Sequence, residues 1–256
     1  AGAGFKNPYD LCLDEGGNLL VADFYNARIR KVTLQGVVTT VATLPSKVFG
    51  IARSSAGLLY VALADKTIRR VDPGTGTVTL VAGTPNVQGF QDGAAATFDF
   101  PLGLAVISGP GGDRLFVAEA AIRTIRTIAP DGTVATLAGL AQASSALVDG
   151  VGTAARFRYP TRVVLDGSRL LVADEAAVRT LNPDTGAVGT LAKNLRSCAA
   201  VCVTDGGGCG AAGEAEVYLV QANGSKVTLA GVAGNSGSQD GPLAQARFTQ
   251  LSDGVF

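Results

Sequence analysis

One pattern recurs along the chain at intervals of 40 to 56 residues, and it constrains the fold more than any other feature. "LLVADFYNARIRKV", ending at Val32, is followed by "LLYVALADKTIRRV" ending at Val71, "RLFVAEAAIRTIRTI" ending at Ile128 and "RLLVADEAAVRTL" ending at Leu181. A weaker copy, "EVYLVQANGSKVTL", begins at Glu216, so Val21, Val61, Val117, Val172 and Val220 read as equivalent positions. An internal period of this length marks a propeller or a solenoid.

The flanks of the pattern repeat as well. Upstream stand "PYDLCLD" from Pro8, "VFGIARS" from Val48, "PLGLAVI" from Pro101, "PTRVVLD" from Pro160 and "CAAVCVT" from Cys198. Downstream come "VTTVATL", "VTLVAGT", "VATLAGL", "VGTLAKN" and "VTLAGVA". The runs are short, rich in Val, Leu, Ile and Thr, and separated by tight turns such as "EGGN", "PGTG" and "PDTG", which is strand-and-turn chemistry. Each unit therefore reads as four antiparallel strands, the blade of an all-β propeller. The expected blades span about 5–46, 47–99, 100–158, 159–197 and 198–247, with a sixth, incomplete blade starting at 248–256 around "LSDGVF". Blade five looks irregular, with an expanded loop "TDGGGCGAAGEAE". Three linkers, "GFQDGAAATFDFP", "LVDGVGTAARFRYP" and "SQDGPLAQARFTQL", share a Gly-rich turn, small residues and a Phe (Phe98, Phe157, Phe248) expected to plug the gap between blades.

These elements in register, from Pro8 to Leu44 and again from Pro101 to Gly139, resemble NHL-repeat propellers over nearly the whole chain. The resemblance implies the fold. It says little about activity, because NHL-like propellers serve as protein-binding scaffolds, RNA binders and lyases alike.

Composition narrows those options. Twenty-one acidic residues balance twenty-one basic ones and aromatics make up 6%, which argues against an RNA-binding face. There is no histidine, the commonest zinc ligand and general base. Peptidyl-amidoglycolate lyases, which resemble NHL propellers, use histidine-ligated zinc that this chain has no residues to supply. No apolar run approaches the roughly 20 residues of a membrane span, so no direct membrane insertion is expected. The lack of any Met is expected of a processed product or a piece of a longer chain.

Candidate site residues follow from what repeats and what does not. Arg30, Arg69, Arg126 and Arg179 recur, as do the acids Asp23, Glu119 and Asp174, and recurrence marks scaffold: the acid is expected to bond backbone N–H groups of the following turn, the Arg to cross-link strands. The starts of the first strands are expected to line a central channel, where Asp10, Gly50, Gly103, Arg162, Ala200 and Asp253 align. Asp10, Arg162 and Asp253 are the binding candidates there. Asp10 with Asp253 is the one pairing that hints at Ca²⁺; the alternative is a hydrated channel, with no cofactor. Cys202 and Cys209 are disulfide candidates, with Cys12 and Cys198 unassigned; buried thiols are the alternative. Cys198 and Cys202 lie about 13 Å apart if extended, too far to pair. Asn223 begins a glycosylation sequon, Asn223-Gly224-Ser225, that also reads as an Asn-Gly hairpin turn. The function expected is a non-catalytic protein-interaction or architectural module, meeting other proteins or other domains of its own chain at the turn face, in an extracellular or cell-surface setting. The alternative is a calcium-dependent lactonase-like hydrolase, or a lyase-like enzyme, with its site at the channel.

Overall fold

The computed structural model describes residues 4–204, 208–213, 215–232, 234–242 and 245–248. Among them the regular elements are strands, apart from one 3-10 turn at Gly152–Ala154. They build five four-stranded sheets. The first holds β1 (Pro8–Leu13), β2 (Leu19–Asp23), β3 (Arg28–Val32) and β4 (Val38–Thr43). The second holds β5 (Val48–Arg53), β6 (Leu59–Leu63), β7 (Ile68–Val71) and β8 (Val78–Ala82), and the third β9 (Pro101–Gly109), β10 (Gly112–Glu119), β11 (Thr124–Ile128) and β12 (Val134–Ala138). In each, the strands lie side by side in chain order.

The fourth sheet adds a linker strand. β13 (Gly150–Val151) pairs with β16 (Ala187–Cys198), which pairs with β15 (Arg169–Leu181), which pairs with β14 (Pro160–Asp166). Residues 169–174 of β15 pair with β14 and residues 175–181 pair with β16, so β15 carries what are two strands elsewhere. Glu175 takes a φ of 48° where the two halves meet.

The fifth sheet holds β17 (Ala200–Val203), β18 (Cys209–Ala212), β19 (Glu216–Val220) and β20 (Lys226–Gly231). This corrects the expected irregularity of blade five. Its second strand is "CGAA", inside the supposed loop, so "EVYLV" is the third strand and Val220 is not equivalent to Val21. Small residues in β18 hid the strand from a reading based on apolar runs. Among the described residues there are five blades and not six; of the expected start of a sixth at 248–256, everything from residue 249 on, "LSDGVF" included, lies outside the described residues.

The chain divides into two compact units, Ala1–Thr136 and Leu137–Phe256. Within the first, β6 shows how the core forms. All five of its residues are buried, because both faces of the sheet are covered. Leu59, Val61 and Leu63 point to blade one, packing with Leu20, Ala22 and Ile29. Tyr60 and Ala62 point the other way, to Leu115 and Val117 of blade three. The period of two thus distributes one strand between two cores, and each fully buried Leu or Val contributes roughly 1.5–3 kcal/mol. In the second unit, Leu171, Val178, Val201, Ala211 and Tyr218 pack in the same manner.

Candidate interaction face

The recurring acid and Arg position this face. Arg126 is buried, and its Nη1 donates to Glu119 at 2.9 Å. Its Nη2 donates to the Gln91 carbonyl at 2.8 Å and to Asp92 at 2.5 Å, while the guanidinium lies 5.4 Å from the Phe98 ring. Arg179 repeats the arrangement, donating to Asp174 (3.2 Å), the Val148 carbonyl (3.0 Å) and Asp149 (2.9 Å), over Phe157 at 5.4 Å. Phe98 and Phe157 are buried, and each linker is clasped onto the blade that follows it. Arg30 stands 3.9 Å from Asp23 and over Phe5 at 5.6 Å, which makes Phe5 the matching ring of blade one. Sequence reasoning missed both the linker Asp and the role of Phe5.

The acids bind a different stretch of backbone from the one expected. Asp23 accepts from Lys6 N–H at 2.8 Å, Glu119 from Asp99 N–H at 2.7 Å, and Asp174 from the N–H groups of Arg158 and Tyr159, each at 2.8 Å. Those donors precede the first strand of each blade and do not belong to the turn after the acid. The first strand enters beside the end of the second, as the pairing of Pro160 with Asp174 shows, so the nearest unpaired amides are the incoming ones. Burial pushes the Glu119 carboxyl up to about 7, against the pull of Arg126, and raises that of Asp174 as well.

On the ends of the first unit's blades that these latches hold, aromatic rings meet. Tyr9 and Phe49 stand second in their first strands and touch edge to face, centroids 5.3 Å apart. Phe24 lies 4.9 Å from Phe49 and 4.8 Å from Tyr25, and Phe100 lies 5.1 Å from Phe49. Leu102 and Ala120 close the cluster beneath. Tyr25 is 49% exposed at its rim. Three of the chain's six lysines sit on these rings: Lys6 at 5.6 Å and Lys47 at 4.8 Å from the Tyr25 centroid, and Lys66 at 5.3 Å from Phe100. The backbone fixes them, since Tyr25 N–H donates to the Lys6 carbonyl (3.1 Å) and Ala64 N–H to the Lys47 carbonyl (2.8 Å). Phe100 holds a φ of 59°, costly for an aromatic residue. The signal in the sequence was Phe24-Tyr25 itself, placed where the next two blades carry Ala64 and Ala120.

The other predicted residues are dispersed. Asp10 is buried at 4% exposure, and its carboxylate accepts from Leu11 N–H (2.7 Å) and from Ile51 N–H of blade two (2.8 Å). These bonds make it an interblade tie; Asp253, its expected partner at a cation, lies outside the described residues. At Gly50 an added Cβ would lie 2.0 Å from the Leu102 carbonyl, so the backbones of blades two and three meet there with no room for a side chain. Arg162 is buried on β14. Among the described residues no disulfide forms. Cys202 pairs with Gly210 and Cys209 with Val203, so their side chains point to opposite faces of the sheet. Cys198 ends β16 and does not share a strand with Cys202. Asn223 is exposed in the β19–β20 turn and accepts from Ser225 N–H at 2.9 Å. Among the described residues no group of three His, Cys, Asp or Glu is placed to hold a metal, and no helix is long and apolar enough to cross a membrane.

Residues 5–32 match the family model of the NHL repeat. The chain carries an NHL repeat. The matched stretch supplies Lys6, Tyr9, Phe24 and Tyr25, so the NHL repeat is also the part that builds most of the aromatic face. No curated protein matches the chain. Among solved structures, a gluconolactonase from Xanthomonas campestris is similar at 13% identity and a TM-score of 0.67, with 98% of this chain and 79% of that one covered. A chain of the nidogen/laminin complex is similar at 16% identity and a TM-score of 0.62, covering 83% and 77%. An auxiliary nutrient binding protein from Bacteroides thetaiotaomicron VPI-5482 is similar at 18% identity and a TM-score of 0.55 over 64% of this chain, which spans only 44% of that protein's length. At such identities the likeness shows the fold alone, a β-propeller of four-stranded antiparallel blades.

Proposed function

We propose that the protein is a non-catalytic interaction module that meets a partner protein, or another domain of its own chain, through the aromatic face of its first unit. The observation that carries this reading is the cluster of Tyr9, Phe24, Tyr25, Phe49 and Phe100 joined across three blades and rimmed by lysines. Aromatic side chains supply large contact areas at low entropic cost, and loops held by a rigid scaffold are where such surfaces carry specificity. The catalytic alternative calls on Asp10 together with Asp253; the Asp10 carboxylate is buried and bonded to backbone amides, and Asp253 lies outside the described residues. The extracellular or cell-surface setting now rests on Asn223, since the cysteines lend it no disulfide. A random-peptide display selection against the chain tests the reading. Enriched peptides are expected to bind the wild type and the Leu80→Ala variant, altered at an exposed outer-strand position, but to lose binding to Tyr25→Ala. Enriched peptides indifferent to Tyr25 would place the interaction elsewhere.

A further inference from the structure

Lys6 and Lys47 stand over the same ring. Their ammonium groups lie 5.6 and 4.8 Å from the Tyr25 centroid, and Lys47 is also 5.7 Å from Phe24. Both residues are exposed. Neither ammonium has a carboxylate partner among the described residues, whereas Lys66, the third lysine of the face, pairs with Asp99 at 3.9 Å. Two like charges held near one ring repel each other, and an anion that meets both relieves that repulsion. The seat also prepares them. Asp23 and the Tyr25 amide fix the Lys6 backbone, Ala64 fixes that of Lys47, and the ring restrains both side chains, so little rotamer freedom is left to lose on binding.

We propose that Lys6, Lys47 and Tyr25 form a carboxylate-recognition subsite that takes an acidic peptide segment of the partner. This rests on the interaction-face reading and adds the partner's chemistry. A carboxylate fits better than a nucleic acid. Base stacking needs open ring faces, whereas two ammonium groups stand within 5.6 Å of the Tyr25 centroid and the neighbouring rings pack on one another. What the subsite offers outward is the remaining N–H donors of two cations.

The test is fluorescence anisotropy on the full chain with three labelled probes: an octaglutamate peptide, an octalysine peptide and an eight-nucleotide single-stranded RNA. Octaglutamate is expected to bind, to weaken with added salt, and to lose about tenfold in affinity in the Lys6→Ala/Lys47→Ala variant. Tyr25→Ala, which changes no charge, is expected to weaken it severalfold by releasing both lysines, and Tyr25→Phe to restore it. Lys193→Ala, an exposed lysine of the second unit, serves as the control for general charge and is expected to leave affinity unchanged. The inference is overturned if octaglutamate does not bind, if its binding ignores Tyr25 and the two lysines, or if the RNA binds more tightly with the same residue dependence. If display selection yields Tyr25-dependent peptides that are not acidic, this inference falls and the interaction face stands; if no peptide engages the face, both fall.

Discussion

Glu119 sits with no exposure between Arg126 and the incoming Asp99 amide, and its burial works against its charge. With its pKa raised from 4.5 to about 7, the folded chain holds this proton more tightly than the unfolded one. The stability contribution is then fully present below about pH 4.5 and is lost as pH rises through 7. Glu119→Gln keeps the shape and removes the titration. Denaturant unfolding of both proteins from pH 5 to 8 should show the wild type losing on the order of 2–3 kcal/mol relative to the variant across that window. Parallel profiles would mean that Arg126 keeps the carboxylate ionised when folded. Arg126 itself is less exposed to this change, because Asp92 remains its second partner at 2.5 Å when Glu119 is protonated.

At the scale of elements, one turn contact recurs between adjacent blades. An added Cβ at Gly132 would lie 3.0 Å from the Val81 carbonyl of the preceding blade's last strand, and at Gly224 it would lie 2.2 Å from the Leu191 carbonyl. Gly224 also takes a φ of 83°. Gly224→Ala therefore combines left-handed strain with a backbone collision and should cost roughly 2–5 kcal/mol. Gly17, with a φ of 74° and nothing within 4 Å, isolates the first effect; Gly17→Ala should cost about 1 kcal/mol. Equal losses in urea denaturation would show that the blade-to-blade approach carries no weight. The strands of blades one to three were legible in the sequence because their cores alternate Leu, Val and Ile with period two, and the turn glycines punctuate them. The strand Cys209–Ala212 was not, because Gly and Ala present no apolar pattern and its pairing to β17 and β19 is a matter of neighbours. The same holds for the face. Phe24-Tyr25 was visible as a departure from the repeat, but its meeting with Phe49 and Phe100, which lie 25 and more residues away, required three blades side by side. The clasp of Arg126 on Asp92 was likewise hidden, since the recurring "DG" of the linkers read only as turn chemistry.

For the molecule as a whole, stability comes from blade packing and not from covalent cross-links. Each described core is shared between adjacent sheets, as β6 shares its residues with blades one and three, and no disulfide ties them. The cysteines of the second unit belong to that packing: Cys198 and Cys209 are buried among Val201, Ala211 and Tyr218. Burial pushes the Cys209 thiol up to about 11 and raises that of Cys198 as well, so at neutral pH neither supplies the thiolate that alkylating and oxidising reagents require. Two measurements follow. In denaturant without reductant, all four cysteines should titrate with a thiol reagent; in native buffer, Cys198 and Cys209 should react only as fast as the second unit opens. The unfolding midpoint should be the same with and without reductant, because reduction removes no cross-link from either state. A midpoint that falls on reduction, with fewer than four thiols counted, would restore the disulfide that the strand register excludes. Cys202 and Cys209 face opposite sides of the β17–β18 pair, and joining them would require a one-residue slip of register that turns Cys209 out of the core it now fills.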